Sequence, residues 1–370
     1  MSGPVIVGGG PAGSAAAITL ARAGRAVTLI ERDAGPADKV CGDFLGGDAI
    51  QAISALGVDV AALSPSPISA VRLVHGSLMA SAPLPFAALG LTRRALDAAL
   101  LNAARRSGAT VVRGHRVRGI RRDGESLRLD CASLGPIAAR TVFLASGKHD
   151  LRGAPRPKVG NGLVGMKMYF ALEAPQQAAL RDHVELILFS GGYAGLQLVE
   201  SDQAVLCVLA PASRVRAASA NWPRLLDSLM EECRHLADRL AGARPLRERP
   251  VAVARLPYGY MHAPASQDWP GLFRLGDQAS VVGSFAGDGV ALALGSATLA
   301  SRFWLAEGNV SGAYHRAWRR RVASQIRLSS FINHACLCAS AQPWVLRLCR
   351  LCPGLVQLAA ARTRMRVTPV

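Results

Sequence analysis

The chain has 370 residues, half of them apolar, which is enough for two domains with a large buried core. Its formal net charge is +18, but no basic stripe alternates with aromatic residues, which argues against a nucleic-acid-binding protein. No run of eighteen apolar residues predicts a membrane-spanning helix. The charge is either a solvated basic surface or a docking surface for an acidic partner, such as an acidic carrier protein or an anionic membrane.

The first predicted elements are a strand, a helix and a second strand. A β-branched run at 5–7 is typical of a buried parallel strand, and the Ala- and Leu-rich segment 14–23 has the composition of a helix. Gly24 ends this helix, and the apolar run 27–30 predicts the second buried strand. Because the first strand starts so near the N-terminus, a signal peptide is not expected, and the predicted localisation is cytoplasmic.

Three glycines between the first strand and the helix have G-x-G-x-x-G spacing: Gly8, Gly10 and Gly13. We expect the first to make a tight turn, the second to let the backbone approach a pyrophosphate, and the third to let helix and strand pack closely. Glu31 closes the second strand, where a carboxylate accepts hydrogen bonds from a ribose, and Arg32 follows it as a further predicted contact. The segment predicts an adenine-dinucleotide site, and a glycine-rich turn without a ligand is the alternative.

Helix and strand patterns continue to about residue 155. Residues 93–106 form the clearest amphipathic helix, with Leu96, Leu100 and Ala103 on one face. The other predicted elements of this part are a helix ending near 56, a hairpin over 71–84, and strands at 109–113, 116–120, 126–131 and 141–145.

Beyond residue 155 the pattern changes to successive strands, which predict an antiparallel sheet. A strand at 271–277 and a helix at 288–307 then return to the first pattern, and the last sixty residues predict two or three basic helices broken near Pro343 and Pro353. The elements of the sheet segment are strands at 163–172, 184–189, 193–199, 204–209 and 251–256 and an amphipathic helix at 222–240.

Further motifs follow the glycine turn in a fixed order: Arg93-x-x-Leu96-Asp97-x-x-Leu100, Ala145-Ser146-Gly147, and Phe273-Arg274-Leu275-Gly276-Asp277 with Gly287-Asp288-Gly289 after it. Together with the turn they resemble the FAD-dependent oxidoreductase superfamily of aromatic hydroxylases, geranylgeranyl reductases and flavin halogenases. The resemblance covers roughly residues 1–310. It implies FAD as the cofactor in a glutathione-reductase-type fold.

The predicted fold class is α/β: a Rossmann-like FAD-binding domain with an inserted antiparallel-sheet substrate domain and a helical C-terminal tail. The FAD-binding domain is discontinuous, comprising 1–70, 92–155 and 265–310. The substrate domain comprises 71–91 and 156–264, and the C-terminal helices occupy 311–370. These helices either pack on the FAD-binding domain or rest on a membrane as a peripheral contact.

The resemblance implies three cofactor contacts beyond the turn. Arg93 is similar to an arginine near the FAD phosphates, and a surface arginine at a helix start is the alternative. Asp277 ends a strand, where its carboxylate would bind a ribityl hydroxyl, cap the next turn, or do both. Gly287, Asp288 and Gly289 precede a helix, so their backbone N–H groups would face the flavin pyrimidine edge, unless they form an ordinary loop.

Three residues are catalytic candidates. Lys39-x-Cys41-Gly42 resembles a turn that lies close to the flavin in geranylgeranyl reductases, so Cys41 is expected to act in proton delivery, with a small packing residue as the alternative. His149 is a titratable group at the carboxyl end of a strand, or a solvated loop histidine. Tyr193 is expected to line the substrate pocket.

No metal site is expected. Four C-terminal cysteines lie at helical spacing between apolar and arginine residues, which favours buried helical cysteines over zinc ligands: Cys336, Cys338, Cys349 and Cys352. NAD(P)H-using hydroxylases carry Asp-Gly where this chain has Ser146-Gly147. The expected electron source is therefore either NAD(P)H or a separate flavin reductase.

The predicted function is that of an FAD-dependent oxidoreductase. The favoured hypothesis is a flavin monooxygenase of secondary metabolism, which hydroxylates a hydrophobic small molecule of phenolic or lipid-derived type. The first alternative is saturation of prenyl double bonds, suggested by Cys41-Gly42, and the second is a flavoprotein acting on a carrier-bound substrate or in electron transfer. A halogenase is disfavoured because the Trp-x-Trp-x-Ile-Pro run of that branch does not occur in the sequence.

Overall fold

The computed structural model describes residues 3–157, 162–265 and 268–365. The parts of the predicted domains at 1–2, 158–161, 266–267 and 366–370 lie outside the described residues. The strands are β1 (Val5–Val7), β2 (Thr28–Glu31), β3 (Phe44–Gly46), β4 (Ser66–His75), β5 (Leu78–Gly90), β6 (Thr110–Arg113), β7 (Val117–Asp123), β8 (Ser126–Cys131), β9 (Gly135–Ala139), β10 (Val142–Leu144), β11 (Leu163–Ala171), β12 (Asp182–Phe189), β13 (Gly192–Leu198), β14 (Ala204–Pro211), β15 (Arg244–Pro245), β16 (Val251–Ala254) and β17 (Leu272–Arg274). The helices are α1 (Pro11–Arg22), α2 (Gly47–Ala55), α3 (Arg93–Arg106), α4 (Ala174–Leu180), α5 (Ala212–Ala217), α6 (Trp222–Glu232), α7 (Arg234–Arg239), α8 (Gly289–Glu307), α9 (Ser311–Leu337), α10 (Gln342–Leu351) and α11 (Pro353–Arg362).

Sheet A contains five parallel strands in the order β17-β10-β1-β2-β6. Successive side chains of these short apolar strands point to opposite faces of the sheet, and both faces are buried. Ile6 and Phe143 pack on one face with α1, α3 and α8, whereas Val5 and Ile30 pack on the other with a three-stranded sheet of β7, β8 and β9. This layering confirms the predicted Rossmann-like fold. It also brings the carboxyl ends of β1, β10 and β17 to one edge.

Sheet B contains nine strands along the path β15-β11-β14-β13-β12-β4-β5-β3, and β16 also pairs with β11. The sheet is mixed rather than wholly antiparallel, because β12 runs parallel to β4. β11 pairs with β14 and not with the next strand in sequence, since the chain crosses the sheet through α4 to reach the position beside β4. The order of these strands was not predicted, because their almost continuously apolar sequences carry no signal for pairing.

The two faces of sheet B are covered by different helices. On one face, Met168 and Leu196 pack against α6 and α7. On the other face, Val71 and Leu188 pack towards α9 and α10. The substrate cavity described below lies on this second face.

Two helical segments differ from the sequence prediction. The helix expected at 222–240 is two helices, α6 and α7, because Cys233 has a non-helical φ of −123° and ψ of 85°. The bend lets Leu229 and Leu236 both reach the core. Within the described residues, α8 is long and apolar enough to cross a membrane, but it lies in the core against α1 and α9. α10 and α11 pass the same test only as a pair, and they bend by 107° where they meet.

Candidate active site

The glycine turn between β1 and α1 contains two close approaches. Gly8 has a φ of +105°, and a Cβ at Gly13 would lie 1.8 Å from the carbonyl oxygen of Gly8. A side chain at either position would therefore displace backbone. Gly10 is the N-cap residue of α1 and lines a cavity together with Pro11 and Ala12. The first N–H groups of α1 are thus next to the cavity, as an anion site at a helix start requires.

Glu31 is buried at the end of β2, and its carboxylate holds this turn. Oε2 accepts a hydrogen bond from the backbone N–H of Gly9 at 2.6 Å, and Oε1 accepts one from the N–H of Asp33 at 3.0 Å. Lys39 lies 3.8 Å from Oε1. Arg32 is exposed, pairs with Asp33 and does not line the cavity. The structure therefore brings Glu31, but not Arg32, to the turn, and the ribose contact stays a prediction.

Arg93 lies over the turn at the start of α3. Its Nε and Nη2 atoms each donate to the Asp97 carboxylate at 2.8 Å, and a Cβ at Gly10 would lie 3.3 Å from Nη2. Burial alone would lower the pKa of Arg93, but the Asp97 carboxylate outweighs burial and raises it. The side chain is thus a fixed cation on the cavity wall, which favours a phosphate nearby.

The turn that follows Lys39 places Cys41 and Gly42 on the cavity wall. The thiol of Cys207 donates to the carbonyl oxygen of Cys41 at 2.8 Å. The next residue, Asp43, is buried with a φ of +54°, and the Gln197 amide donates to its carbonyl oxygen at 2.9 Å. Strands of sheet B therefore fix the backbone of this turn.

A buried ion pair completes this support. The ammonium of Lys167 donates to both carboxylate oxygens of Asp43 at 2.9 and 3.1 Å, and the Tyr169 hydroxyl donates to Oδ2 at 2.7 Å. Both charged side chains are fully buried. Burial raises the pKa of Asp43 against the opposing effect of Lys167. This pair was not predicted from the sequence, although a lysine inside the apolar run of β11 was the signal.

The segment after β10 places Lys148, rather than His149, on the cavity wall. Lys148 Nζ lies 3.2 Å from Oδ2 of Asp277, which also lines the cavity. The Asp277 carboxylate raises the pKa of Lys148. Burial alone would raise the pKa of Asp277, but Lys148 outweighs burial and lowers it. His149 is exposed and does not line the cavity, so the structure does not bring this catalytic candidate to the site.

The loop before α8 is held by the C-terminal end of the described chain. Arg364 donates to the carbonyl oxygens of Ala286 and Gly287 and lies 3.2 Å from Oδ1 of Asp288. The backbone N–H of Met365 donates to Oδ2 of Asp288 at 2.7 Å. Burial raises the pKa of Asp288 to about 7 against the opposing effect of Arg364. Both oxygens of the Asp288 carboxylate are therefore bound by the C-terminal segment. Gly287, Asp288 and Gly289 line the cavity.

Two aromatic rings fix the position of Arg364. The guanidinium carbon lies 4.5 Å from the ring centre of Phe86 and 5.6 Å from that of Phe44. Cation–π contact and burial therefore add to the hydrogen bonds of this side chain. Arg364 was not predicted from the sequence, because nothing local connects it to a loop that lies more than 70 residues earlier in the chain.

A hydrogen-bonded group of three hydroxyls also lines the cavity. Ser284 contacts the hydroxyl of Tyr193 and, at 2.8 Å, that of Tyr258. Burial raises the pKa of Tyr193 well above its ordinary value and that of Tyr258 to about 12. Both phenols are therefore neutral donors at physiological pH. Tyr193 lines the pocket as expected from its strand position, and Tyr258 and Ser284 were not predicted.

One cavity of about 620 Å³ is lined by Gly10 of the glycine turn, the Cys41–Gly42 turn, Arg93, Lys148, Asp277, the loop before α8 and the three hydroxyl side chains. One end has the glycine turn, Arg93 and Asp277, and the other lies between sheet B and the C-terminal helices. The wall of that second end is almost entirely apolar, and includes Val71, Leu73, Leu84, Val184, Leu186, Leu188, Leu209, Leu256, Ile332, Val345 and Val356.

One group of side chains elsewhere has metal-ligand types: His262, Asp268 and His315. The Nε2 atom of His315 accepts a hydrogen bond from the backbone N–H of Arg274 at 3.1 Å. The ring proton is then on Nδ1, which leaves that nitrogen no lone pair for a metal ion. This arrangement does not favour a metal there.

Comparisons with known proteins agree with this architecture. Residues 3–133 match the family model described as an FAD binding domain. The chain is 27% identical over 337 residues to a menaquinone reductase of Mycolicibacterium smegmatis. The matched residues make up 85% of this chain and 78% of that protein. The structure of a geranylgeranyl bacteriochlorophyll reductase-like protein from Thermoplasma acidophilum superposes with a TM-score of 0.76 at 16% identity, over 99% of this chain and 93% of the other. A flavin-dependent brominase gives a TM-score of 0.80 at 15% identity, over 98% and 94%.

Residues 3–133 thus match an FAD binding domain, and the chain as a whole fits the FAD-dependent oxidoreductase superfamily in sequence similarity and fold. The predicted superfamily resemblance is thereby confirmed, as are the fold class and FAD as the cofactor. The brominase and the reductase-like protein share the fold with this oxidoreductase at low identity, so they do not distinguish between reactions.

The residues of the cavity fit FAD. A glycine turn without side chains, an open helix start and the fixed cation of Arg93 suit a pyrophosphate. Asp277 and the N-terminus of α8 lie on the wall of the same cavity, where the ribityl chain and the pyrimidine edge of the flavin are expected. The individual cofactor contacts stay predictions.

Proposed function

We propose that this oxidoreductase saturates a carbon–carbon double bond in the prenyl chain of a lipid. The observation that carries the proposal is the position of the Cys41–Gly42 turn, which opens into the same cavity as the apolar wall of sheet B. The chain's similarity over most of its length to a menaquinone reductase supports the proposal. The fold that the chain shares with a geranylgeranyl bacteriochlorophyll reductase-like protein supports it as well.

The apolar end of the cavity suits a linear hydrocarbon. A prenyl chain has no hydrogen-bonding groups, so it gains free energy by leaving water for this wall. The Tyr193–Ser284–Tyr258 group is a polar feature of that region, and its three hydroxyls are linked by two hydrogen bonds. The apolar side chains of the wall therefore bind the chain without the loss of a hydrogen bond.

Saturation adds a hydride to one carbon of the double bond and a proton to the other. Reduced FAD supplies the hydride when bound. On this chain we assign the proton to the Cys41 thiol, which is half-buried on the cavity wall and regains a proton from solvent. The Asp43–Lys167 pair holds the turn, and thereby the thiol, in position.

A flavin hydroxylase is the second candidate. The specific observation in its favour is the Tyr193–Ser284–Tyr258 group, which offers a phenolic substrate hydrogen-bonding partners inside an apolar cavity. Such an enzyme would need O₂ as a second substrate and would insert one oxygen atom. For either reaction, NAD(P)H or a separate flavin reductase is the proposed source of electrons.

The proton assignment is tested with the FAD-loaded protein, chemically reduced without air and mixed with a geranylgeranyl lipid in deuterated water. We expect a product with two added hydrogens, both of them deuterium because the transferable hydrogen of the reduced flavin also comes from solvent, and about a 100-fold slower single turnover for Cys41→Ser. Cys338→Ser is the matched control, since that thiol lies outside the cavity wall. Equal turnover rates for Cys41→Ser and the unaltered protein would remove Cys41 from the mechanism.

A further inference from the structure

The C-terminal region has an unusual charge pattern. Between Gly308 and Val370 the sequence contains ten arginines and no aspartate or glutamate. Arg347, Arg350 and Arg362 on α10 and α11 are exposed. This region therefore presents positive charge to solvent, and the region itself contains no carboxylate to neutralise it.

The same region exposes most of the large apolar side chains on the described surface. Ten large hydrophobic residues are exposed in the described part of the chain, and six of them lie between positions 331 and 358. We call this set the C-terminal apolar face, and it consists of Phe331, Trp344, Leu348, Leu351, Leu355 and Leu358. The side chain of Leu351 is 80% exposed and that of Trp344 67%.

Trp344 and Leu348 point outward because α10 is anchored by its opposite side. The Gln342 amide donates to the carbonyl oxygens of Phe189 and Cys336, both at 2.8 Å, and Leu346 is buried. The outer side of α10 then carries Trp344 and Leu348 beside exposed arginines. An apolar side flanked by arginines is the pattern of a helix that lies in a membrane interface.

The C-terminal apolar face is continuous with the cavity. Phe331, Leu348 and Leu355 are exposed and also line the cavity wall. The apolar end of the cavity therefore reaches the surface where the exposed apolar side chains are concentrated. A water-insoluble substrate would pass between bilayer and cavity here without crossing an aqueous gap.

We propose that the C-terminal apolar face docks on an anionic lipid bilayer and that the substrate moves between bilayer and cavity through it. The arginines match an anionic headgroup layer, and the leucines and Trp344 match its acyl boundary. Docking stands independently of the reaction, whereas substrate transfer rests on the proposed function.

Docking is tested by flotation of the full-length FAD-loaded protein with vesicles of phosphatidylcholine, with and without phosphatidylglycerol. We expect binding to the anionic vesicles that weakens with salt. Trp344→Ala/Leu351→Ser should reduce it by about tenfold, and Arg347→Glu/Arg350→Glu should abolish the preference for anionic lipid. Leu134→Ser/Leu246→Ser and Arg121→Glu/Arg122→Glu are matched controls on other surfaces, and both should bind like the unaltered protein.

Three results would overturn the docking proposal. The first is equal binding by the Trp344→Ala/Leu351→Ser variant and its control. The second is absence of vesicle binding together with a dimer that this variant dissociates, which would assign the face to a second copy of the chain. The third is salt-sensitive binding to an acidic carrier protein without binding to vesicles.

Transfer is tested separately with the same variant. It should turn over a prenyl lipid embedded in vesicles more slowly than the unaltered protein, and a short prenyl analogue in detergent at the same rate. Equal rates in vesicles would contradict transfer through this face. If neither form yields a saturated product while vesicle binding persists, the proposed reaction fails and docking stands.

Discussion

Two turns beside the cavity, the glycine turn and the Cys41 turn, are held by different kinds of contact. The glycine turn is mainly backbone from one short segment, and the close approach of Gly13 to Gly8 defines its shape. The Cys41 turn depends on side chains from distant segments, above all Asp43 and Lys167. The glycine turn should therefore fail through steric overlap and the Cys41 turn through loss of a buried charge partner.

The largest effect is expected from Gly13→Val. A Cβ at this position would lie 1.8 Å from a carbonyl oxygen, so α1 must move away from β1 at a cost of about 3 kcal/mol or more. We expect the purified protein to lack FAD, measured as flavin absorbance per protein. Gly35→Val is the matched control, because an added Cβ there meets no atom within 4 Å. Stoichiometric FAD in Gly13→Val would refute this account of the turn.

The second effect concerns the buried pair. Lys167→Met leaves the Asp43 carboxylate buried without its cation, which should lower the free energy of unfolding by about 3–5 kcal/mol. The double variant Asp43→Asn/Lys167→Met removes both charges and should recover a large part of that loss. Urea unfolding measures both. If the double variant is as unstable as Lys167→Met, the loss does not come from an unpaired charge.

The third effect concerns Glu185, where a substitution should lower stability without affecting FAD binding. Glu185 is buried in sheet B outside the cavity and pairs with Arg72, His235 and Arg239. Burial alone would raise the pKa of Glu185, but His235 and Arg239 outweigh burial and lower it to about 2. Glu185→Gln should therefore lower the free energy of unfolding at neutral pH by about 2–3 kcal/mol and leave FAD content unchanged.

The pH dependence of this carboxylate has a defined sign. The unfolded chain takes up the proton near pH 4.5 and the folded chain only near 2, so acid favours unfolding between these values. The stabilisation is present above about pH 4.5 and is lost as the pH falls to about 2. The free energy of unfolding, measured by urea titration at several pH values in this range, should depend less steeply on pH for Glu185→Gln than for the unaltered protein. A slope equal to that of the unaltered protein would assign the acid sensitivity to other groups.

The smallest effect is expected at the loop before α8. Arg364→Ala removes the hydrogen bonds to Ala286 and Gly287 and the partner of Asp288. A looser loop should raise the dissociation constant for FAD about tenfold, equivalent to about 1.4 kcal/mol. Flavin fluorescence titration measures this, with exposed Arg362→Ala as the control. Unchanged affinity would mean that the C-terminal segment does not support the cofactor loop.

The difference between the glycine turn and the Cys41 turn explains which features could be predicted from the sequence. The N-terminal turn was predicted because its determinants lie within about thirty residues and follow from backbone sterics. Asp43 and Lys167 are 124 residues apart and Arg364 lies 77 residues from Gly287, so no local pattern joins them. The strands of sheet B were largely predicted, but their order was not, because pairing depends on the crossing through α4. His149 was expected at the site by its place after β10, yet Lys148 lines the cavity there.

The central claim is that the FAD site and an apolar prenyl site share one cavity and carry out a reduction. It is tested most directly by a single turnover of the reduced, FAD-loaded protein with a geranylgeranyl lipid, in matched samples without and with O₂, followed by mass spectrometry of the lipid. The account predicts a product heavier by two hydrogens in the sample without O₂. A product that forms only with O₂ and carries one added oxygen atom would contradict the account and establish the hydroxylase instead.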